Sequence, residues 1–356
     1  PALRFAWQRA VAALRAAGAD AVVDDSLTPS AADFDVVHAF GLGQADTLLG
    51  RVQCARATNP AARVVLSSLE PDPRPANWLG ELLANRFGAD DAELRTIAAL
   101  AAAGELGDRR TDGRCAEPFP GRRDYERALF GFVDAWIVHS ESEHAWLSTR
   151  LGNPMPASLI VEGVDGETAP STAAPSDLPR GGVIQIGPRD LPGNHLPLVL
   201  ALQGTGIPLS LCGPAAFPYR DARTRRRGDG TLQLLRLPAG DALFPALQQS
   251  AVFVWLPAAP ASFALPLLAA RAGCELVLAC DVGAESLFGA GASYVDPLDL
   301  PGLRAAVIAA RARWQGGGDE TRRHQALAGR DARAYGERLL QVYALGARRR
   351  EPVAIG

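Results

Sequence analysis

Lysine is absent from this chain of 356 residues, so arginine and histidine supply all of its basic side chains. Without a lysine amine, a protein forms no Schiff base with pyridoxal phosphate and has no lysine for the phosphate-binding loop of a P-loop nucleotidase. Both classes of protein are therefore excluded. The abundance of alanine, arginine, glycine and proline favours a GC-rich genome, and we expect a bacterial source.

Cysteine is scarce, and its 5 residues follow no regular spacing. This pattern predicts neither a disulfide framework nor a zinc site, so we expect reduced thiols. The 5 histidines and the acidic residues also lack metal-ligand spacing, and we expect no bound metal. The cysteines are Cys54, Cys115, Cys212, Cys274 and Cys280.

Strong charge and long apolar runs are also missing. A net charge of -3 gives no electrostatic basis for binding nucleic acid. No segment reaches the roughly 20 uninterrupted apolar residues of a membrane span, and no signal peptide is evident. These absences predict a cytoplasmic protein, with a peripheral position at the inner membrane face as the alternative.

The most informative segment runs from residue 261 to residue 279. Ser262 and Ala264 are small residues at the start of a predicted helix, where they let the backbone approach a bound group. Amide groups of the first turn and the helix dipole favour an anion there, such as a nucleotide diphosphate. Leu265 and Leu268 follow at helical spacing, and the apolar run at residues 276–278 is typical of a short buried strand.

This segment resembles the donor-sugar loop of GT-B glycosyltransferases, whose retaining group often reads E-G-F-G-L-P-L-L-E-A-M-A-x-G-x-P-V-V-A. Ala261 and Ala269 stand where that group has glutamate. The resemblance implies a donor-binding role for Ser262, Phe263, Ala264 and Leu265.

A second segment, residues 183–195, is similar to the family's G-R-L-x-P-E-K-N element. An apolar strand runs into Gly187, and Arg189 matches the arginine that neutralises the donor diphosphate in the family. Asn194 stands where the family has lysine. The resemblance therefore implies a catalytic role for Arg189 and a donor-binding role for Gly187, Arg189, Asn194 and Gly213, the last following the predicted strand that begins at Leu209.

The first half of the chain begins with a predicted helix and continues with an apolar run at residues 21–23, which favours a strand. The next predicted strand, from Phe34 to Phe40, resembles the family's D-V-V-H-A-H segment. His38 is a candidate catalytic residue because ligands bind at the carboxyl ends of parallel strands. The alternative is a strand-end histidine held by backbone groups. Ser67 and Ser68 occupy a region where relatives often carry a histidine.

Residues 70–123 are predicted to form a long irregular segment with one alanine-rich helical patch at residues 92–103. Such segments are commonly lids, acceptor loops or partner surfaces. Its arginines are interpreted either as a solvated face or as a site for an acidic acceptor or phospholipid headgroup. They are Arg109, Arg110, Arg114, Arg122 and Arg123.

Two shorter elements follow this excursion. Ser140 and Glu143 form a capping box after a predicted strand that begins at Asp134. The segment at residues 159–165 is similar to the family's V-x-N-G-V-D element, with Glu162 replacing asparagine.

The predicted fold class is α/β, with two Rossmann-like doubly wound domains facing a cleft in the GT-B arrangement. We expect an N-terminal acceptor domain over residues 1–165, a linker over 166–182 and a donor domain over 183–318. Residues 319–356 are expected to form a C-terminal helix that packs back on the first domain.

The function implied by this resemblance is transfer of a sugar, as in hexosyltransferases, from a nucleotide-diphosphate donor. No cofactor or metal is required, and the acceptor is a saccharide, a lipid-linked saccharide or a protein. The alternative is a catalytically silent GT-B subunit that binds a partner transferase or scaffolds an acceptor. A third interpretation is a generic Rossmann-like binding protein or epimerase.

Overall fold

The structure is a computed structural model. It describes residues 2–70, 72, 74, 121–152, 156–164, 181–187, 194–214, 231–236, 243–258, 262–280 and 283–345. Within these residues no helix has the length and apolar character needed to cross a membrane.

The first sheet has four parallel strands in the order β1-β2-β3-β4. Apolar side chains are buried on both of its faces, and helices cover both. We call this sheet with its helices the first lobe. Its strands are β1 (Val36–Phe40), β2 (Arg63–Ser67), β3 (Ala135–Val138) and β4 (Ala157–Leu159).

The second sheet has six parallel strands in the order β7-β6-β5-β8-β9-β10. The strand order reverses between β5 and β8, which is the topological switch point of a Rossmann sheet. We call this sheet with its helices the second lobe. Its strands are β5 (Val183–Ile186), β6 (Leu209–Cys212), β7 (Leu232–Leu235), β8 (Val252–Trp255), β9 (Glu275–Ala279) and β10 (Ser293–Val295).

Helices lie between most consecutive strands, as expected for the predicted α/β fold. In the first half they are α1 (Ala2–Ala16), α2 (Ala45–Thr58), α3 (Arg122–Phe130) and α4 (Glu141–Leu151). In the second half they are α5 (Leu196–Leu202), α6 (Leu243–Gln249), α7 (Ala264–Ala272), α8 (Ala284–Phe288), α9 (Leu300–Gln315), α10 (Glu320–Leu327) and α11 (Ala332–Leu345). Single 3-10 turns lie at Leu42–Gln44 and Gly289–Gly291.

The last helix, α11, packs on α1 and on the first sheet. Tyr335, Leu339 and Val342 of α11 share a buried cluster with Val65 and Ile137 of the central strands. The chain therefore begins and ends, within its described residues, on the same face of the first lobe. The residue boundaries predicted for the domains and the linker stay predictions.

Two sequence predictions about elements need correction. Residues 21–23 do not form a strand, and Val22 and Val23 are exposed because no neighbouring strand pairs with them in the described structure. The expected single C-terminal helix is two helices, α10 and α11, separated by a turn that contains Gly329.

Candidate functional site

The predicted donor-binding residues lie around the carboxyl edge of the second sheet. Gly187 directly follows β5 and Gly213 directly follows β6, its neighbour. The loop after β8, the other strand of the switch point, leads to α7. Ligands bind in open α/β sheets in the crevice beside such a switch point. The fold therefore brings the two predicted segments together at the edge where a ligand is expected.

The start of α7, residues 262–265, forms a structured entrance that we call the α7 mouth. The Ser262 hydroxyl accepts a hydrogen bond from the Ala264 amide at 3.2 Å. The ring of Phe263 is buried, with its centroid 5.2 Å from that of Trp255 at the end of β8. The aromatic contact fixes the entry of the loop, and the serine occupies one amide of the first turn.

Only part of the first turn of α7 can serve a ligand. A helix leaves the amides of its N-cap and first three residues without intrahelical partners. Here Phe263 is the N-cap, the Ala264 amide is bound by Ser262, and Pro266 has no amide hydrogen. At most two donors of this turn, the amides of Phe263 and Leu265, remain for an anion.

Glu162 lies against the α7 mouth, a role that sequence reasoning did not assign. The Ser262 hydroxyl donates a hydrogen bond to Glu162 Oε2. The side chain is 2% exposed, and within the described structure Glu162 Oε1 has no hydrogen-bond partner. The only sequence signal was the glutamate at a position where the family has asparagine. A buried carboxylate thus stands beside the helix end at which an anionic ligand is expected.

The segment around Glu162 connects the two lobes. Arg271, in the last turn of α7, donates to the carbonyl oxygen of Val164 at 2.8 Å. On the other side, the Val164 amide donates to the carbonyl oxygen of Arg330 at 2.9 Å. A Cβ atom added at Gly163 would lie 2.1 Å from the Asp331 carbonyl oxygen, so only glycine allows this approach. Glu162 is therefore held at a fixed place between α7 and the turn before α11.

Of the other residues compared with the family in the two donor segments, some lie outside the described structure and two are buried. Arg189 and Ala261 lie outside the described residues. Asn194 is buried and has a φ of 47°, a left-handed conformation that asparagine adopts more readily than most residues. Ala269 is fully buried in the core of the second lobe, so its side chain faces the core and not a ligand. The catalytic role of Arg189 and the donor-binding roles of Arg189 and Asn194 stay predictions.

Glu275 is an acidic residue of the second lobe that lies away from the predicted donor site. It is the first residue of β9, at the amino edge of the sheet and opposite the switch-point crevice. Its carboxylate is bound by Arg313 at 2.8 Å. This pair stabilises the packing of α9 on β9.

His38 lies in the middle of β1 and not at its end, which corrects the sequence reading. Its Nδ1 atom is 2.7 Å from the Tyr343 hydroxyl of α11, and its Nε2 atom is 2.9 Å from the Ser67 hydroxyl. The ring also stacks on Phe40, with the ring centroids 4.1 Å apart. Both nitrogens are thus occupied by neighbouring side chains, which favours a structural role in joining α11 to the sheet. The predicted catalytic role of His38 has no support in these contacts.

The ionisation of His38 gives a testable pH dependence. Burial, with a smaller contribution from the charge of His139, lowers the pKa of His38 to about 3. In the unfolded chain His38 has its ordinary pKa of about 6.5 and takes up a proton that it does not accept in the folded protein. The free energy of unfolding therefore falls as the pH is lowered from 6.5 to about 3. His38→Gln removes this effect. Its stability deficit against wild type is expected to shrink by about 1 kcal/mol per pH unit as the pH falls.

Urea unfolding of both proteins at pH 7.0 and pH 5.0 measures this difference. A deficit that is the same at both pH values would show that His38 is not held neutral by the fold. The comparison with the variant is needed because other buried groups also titrate in this range.

Glu143 ties together the carboxyl ends of β2 and β3. Its Oε1 atom accepts hydrogen bonds from the Ser68 hydroxyl at 2.7 Å and the Glu70 amide at 2.8 Å. Its Oε2 atom accepts from the His139 amide at 2.7 Å. Half of the predicted capping box is confirmed, since the Ser140 hydroxyl accepts from the Glu143 amide at 3.1 Å, while the Glu143 carboxylate binds the His139 amide and not that of Ser140. Burial raises the pKa of Glu143, and the nearby donors oppose that rise.

A buried ion-pair network lies beside Glu143. It contains one of the arginines that were interpreted as a solvated face or an acceptor site. Arg122 is buried and pairs with Glu70 at 2.5 Å and with Glu126 at 2.8 Å. Glu126 also pairs with Arg150 at 2.9 Å. Arg122 is therefore neither a solvated side chain nor a free site for an acidic acceptor. Arg109, Arg110 and Arg114 of the predicted cluster, and the alanine-rich patch 92–103, lie outside the described residues.

The described residues contain no candidate metal site. Among the residues that the structure describes, no group of three or more histidine, cysteine or acidic side chains is placed to hold a metal ion. The expectation of metal-independent chemistry stays a prediction.

Comparisons with known proteins show the fold. No protein-family model matches the chain, and no curated protein sequence is significantly similar to it. Solved structures do match. A trehalose-6-phosphate structure from E. coli bound with UDP-2-fluoro glucose has a TM-score of 0.58 at 13% identity, covering 96% of this chain and 78% of that one.

Two further structures match to a similar extent. Sucrose-phosphate synthase from Thermosynechococcus elongatus has a TM-score of 0.57 at 16% identity, covering 87% of this chain and 73% of that one. The N-terminal domain of trehalose-6-phosphate phosphatase from Candida albicans has a TM-score of 0.58 at 10% identity, covering 87% and 70%. The chain has the two-lobed α/β fold of GT-B glycosyltransferases, as the resemblance implied.

Proposed function

We propose that the protein is a glycosyltransferase that takes a sugar from a nucleotide-diphosphate donor. The observation that carries this proposal is the placement of Gly187 and the α7 mouth at the switch point of the second sheet. The likeness to a structure that contains a UDP sugar and to a sucrose-phosphate synthase supports the same function. The proposed acceptor is a saccharide, a lipid-linked saccharide or a protein.

In this mechanism the bond between the anomeric carbon and the diphosphate oxygen breaks, and an acceptor hydroxyl oxygen forms the new bond. The proton of that hydroxyl leaves to the departing phosphate or to solvent. Arg189 and the amides of Phe263 and Leu265 hold the charge that develops on the diphosphate. The reaction needs no metal or cofactor, since these donors replace a bound cation. We place the protein in the cytoplasm, with the inner membrane face as an alternative site of action.

Calorimetry with nucleotides and nucleotide sugars tests the proposal. Wild type is expected to bind at least one nucleotide-diphosphate sugar with a dissociation constant of about 1 mM or below, within the range in which weak binding is measurable. Arg189→Ala is expected to weaken that binding about tenfold to a hundredfold, because charge-assisted hydrogen bonds contribute about 1.5–3 kcal/mol each. Arg304→Ala, which removes an exposed arginine on α9, serves as the matched control.

If the wild type binds none of the nucleotides or nucleotide sugars, the result favours a catalytically silent subunit instead. Two observations give that alternative weight: Ala269 is buried where the family has a glutamate, and Glu162 occupies the α7 mouth. The same fold also occurs in a domain of a phosphatase, so fold alone does not establish transfer. Binding of a partner transferase would then be the function to seek.

A further inference from the structure

Glu162 is the feature of the molecule that the proposed function does not explain. It is 2% exposed, and one of its two oxygens has no hydrogen-bond partner in the described structure. No arginine or histidine forms an ion pair with it among the described residues. Burying a carboxylate without a cation is costly, so a compensating interaction is expected nearby.

The α7 mouth provides that interaction. The Ser262 hydroxyl bridges the two, since it donates to Glu162 Oε2 and accepts from the first-turn amide of Ala264 at 3.2 Å. Through this bridge the carboxylate lies two hydrogen bonds from the backbone of the helix N-terminus. The positive end of the α7 dipole stabilises a negative charge at such a position. Glu162 thus uses the same electrostatic potential that a ligand phosphate would use.

The position of Glu162 is fixed on both sides. Arg271 and the turn at Arg330 bind the carbonyl and the amide of Val164, and Gly163 packs against the Asp331 carbonyl oxygen. The segment therefore has little freedom to withdraw from the α7 mouth. The carboxylate is a permanent neighbour of any group that binds there.

We propose that Glu162 acts as an internal anion that occupies the α7 mouth and weakens the binding of diphosphate ligands. This inference rests on the proposed function in one respect, namely that the α7 mouth receives the donor diphosphate. Like charges a few ångströms apart in a buried site repel strongly. The residue thereby determines how tightly the second lobe holds a nucleoside diphosphate, both as donor and as leaving product.

The test is a gain of binding in Glu162→Gln. Glutamine keeps an oxygen that accepts the Ser262 hydrogen bond and removes the charge. We expect the variant to bind inorganic pyrophosphate and uridine diphosphate about tenfold more tightly than wild type, and uridine, which carries no phosphate, with unchanged affinity. Glu337→Gln, which removes an exposed carboxylate on α11, changes the net charge equally and is expected to leave all three affinities unchanged.

Calorimetry with the three probes distinguishes the outcomes. Unchanged or weaker pyrophosphate binding in Glu162→Gln overturns the inference, and so does an equal gain for uridine, which would indicate a general opening of the site. If Glu162→Gln is not recovered folded, Glu162→Asn is measured instead, because it also supplies a neutral oxygen.

The same experiment separates the inference from the proposed function. Nucleotide-sugar binding by wild type without any gain in Glu162→Gln leaves the proposed function standing and overturns the inference. If the wild type binds none of the ligands and Glu162→Gln binds them, the result supports the internal anion and counts against the transferase. Absence of binding by both proteins overturns both.

Discussion

Replacing Glu143 with alanine is expected to lower the free energy of unfolding by about 3–5 kcal/mol. The carboxylate accepts hydrogen bonds from the Ser68 hydroxyl and from the amides of Glu70 and His139. Alanine leaves the amides of Glu70 and His139 without this acceptor and the Ser68 hydroxyl with only the Ile137 carbonyl oxygen at 3.3 Å, and each unsatisfied group costs about 1–3 kcal/mol. Denaturant unfolding followed by circular dichroism measures the loss.

Glu143→Gln is the matched variant for this prediction. Its amide oxygen still accepts one or two of the three hydrogen bonds, so we expect it to lose less than half of the stability that alanine loses. A loss below about 1 kcal/mol in Glu143→Ala would contradict the role of this carboxylate in joining β2 to β3.

A second large effect is expected at Gly336, in the middle of α11. A Cβ atom there would lie 2.1 Å from the carbonyl oxygen of Ala13 in α1. In an exposed helix, alanine is more favourable than glycine by about 1 kcal/mol, but here α1 must move away and its buried contacts must loosen. We expect Gly336→Ala to destabilise the protein by about 2–4 kcal/mol, since overpacking and lost core contacts outweigh helix propensity.

Gly50→Ala is the control for this substitution. Gly50 is an exposed residue of α2, and a Cβ atom added there would meet no other atom within 4 Å. Only helix propensity changes at this position, so alanine is expected to stabilise the protein by about 0.5–1 kcal/mol. Thermal unfolding of the two variants should therefore shift in opposite directions, and shifts of the same sign would refute the proposed close packing of α1 on α11.

Two central strands of the second lobe were predictable because each is a short apolar run closely followed by glycine or proline. Val183–Ile186 before Gly187 and Val252–Trp255 before Leu256 and Pro257 are buried throughout, as expected for parallel strands covered on both sides. Residues 21–23 have a similar composition without the same outcome. A strand requires a neighbour to pair with, and that neighbour is not encoded locally.

The segments that form the candidate site were predictable, but the contacts between residues far apart in the sequence were not. The resemblance placed Gly187 and Ser262 in one site, and the strand order brings their segments to one edge. The contact between Glu162 and Ser262 joins residues 100 positions apart, so no spacing rule reveals it. The contacts of His38 were not predictable for the same reason, because its partners Ser67 and Tyr343 lie 29 and 305 positions away along the chain.

The pairing of Glu70 with Arg122 has a consequence for how this protein can diverge. These two residues lie on either side of residues 71–121, and their contact at 2.5 Å holds the two ends of that segment together on the first lobe. Segments attached in this way can change length and composition at little thermodynamic cost, since loop closure depends only weakly on loop length. Natural variants are therefore expected to differ most between these two anchors while both charges persist.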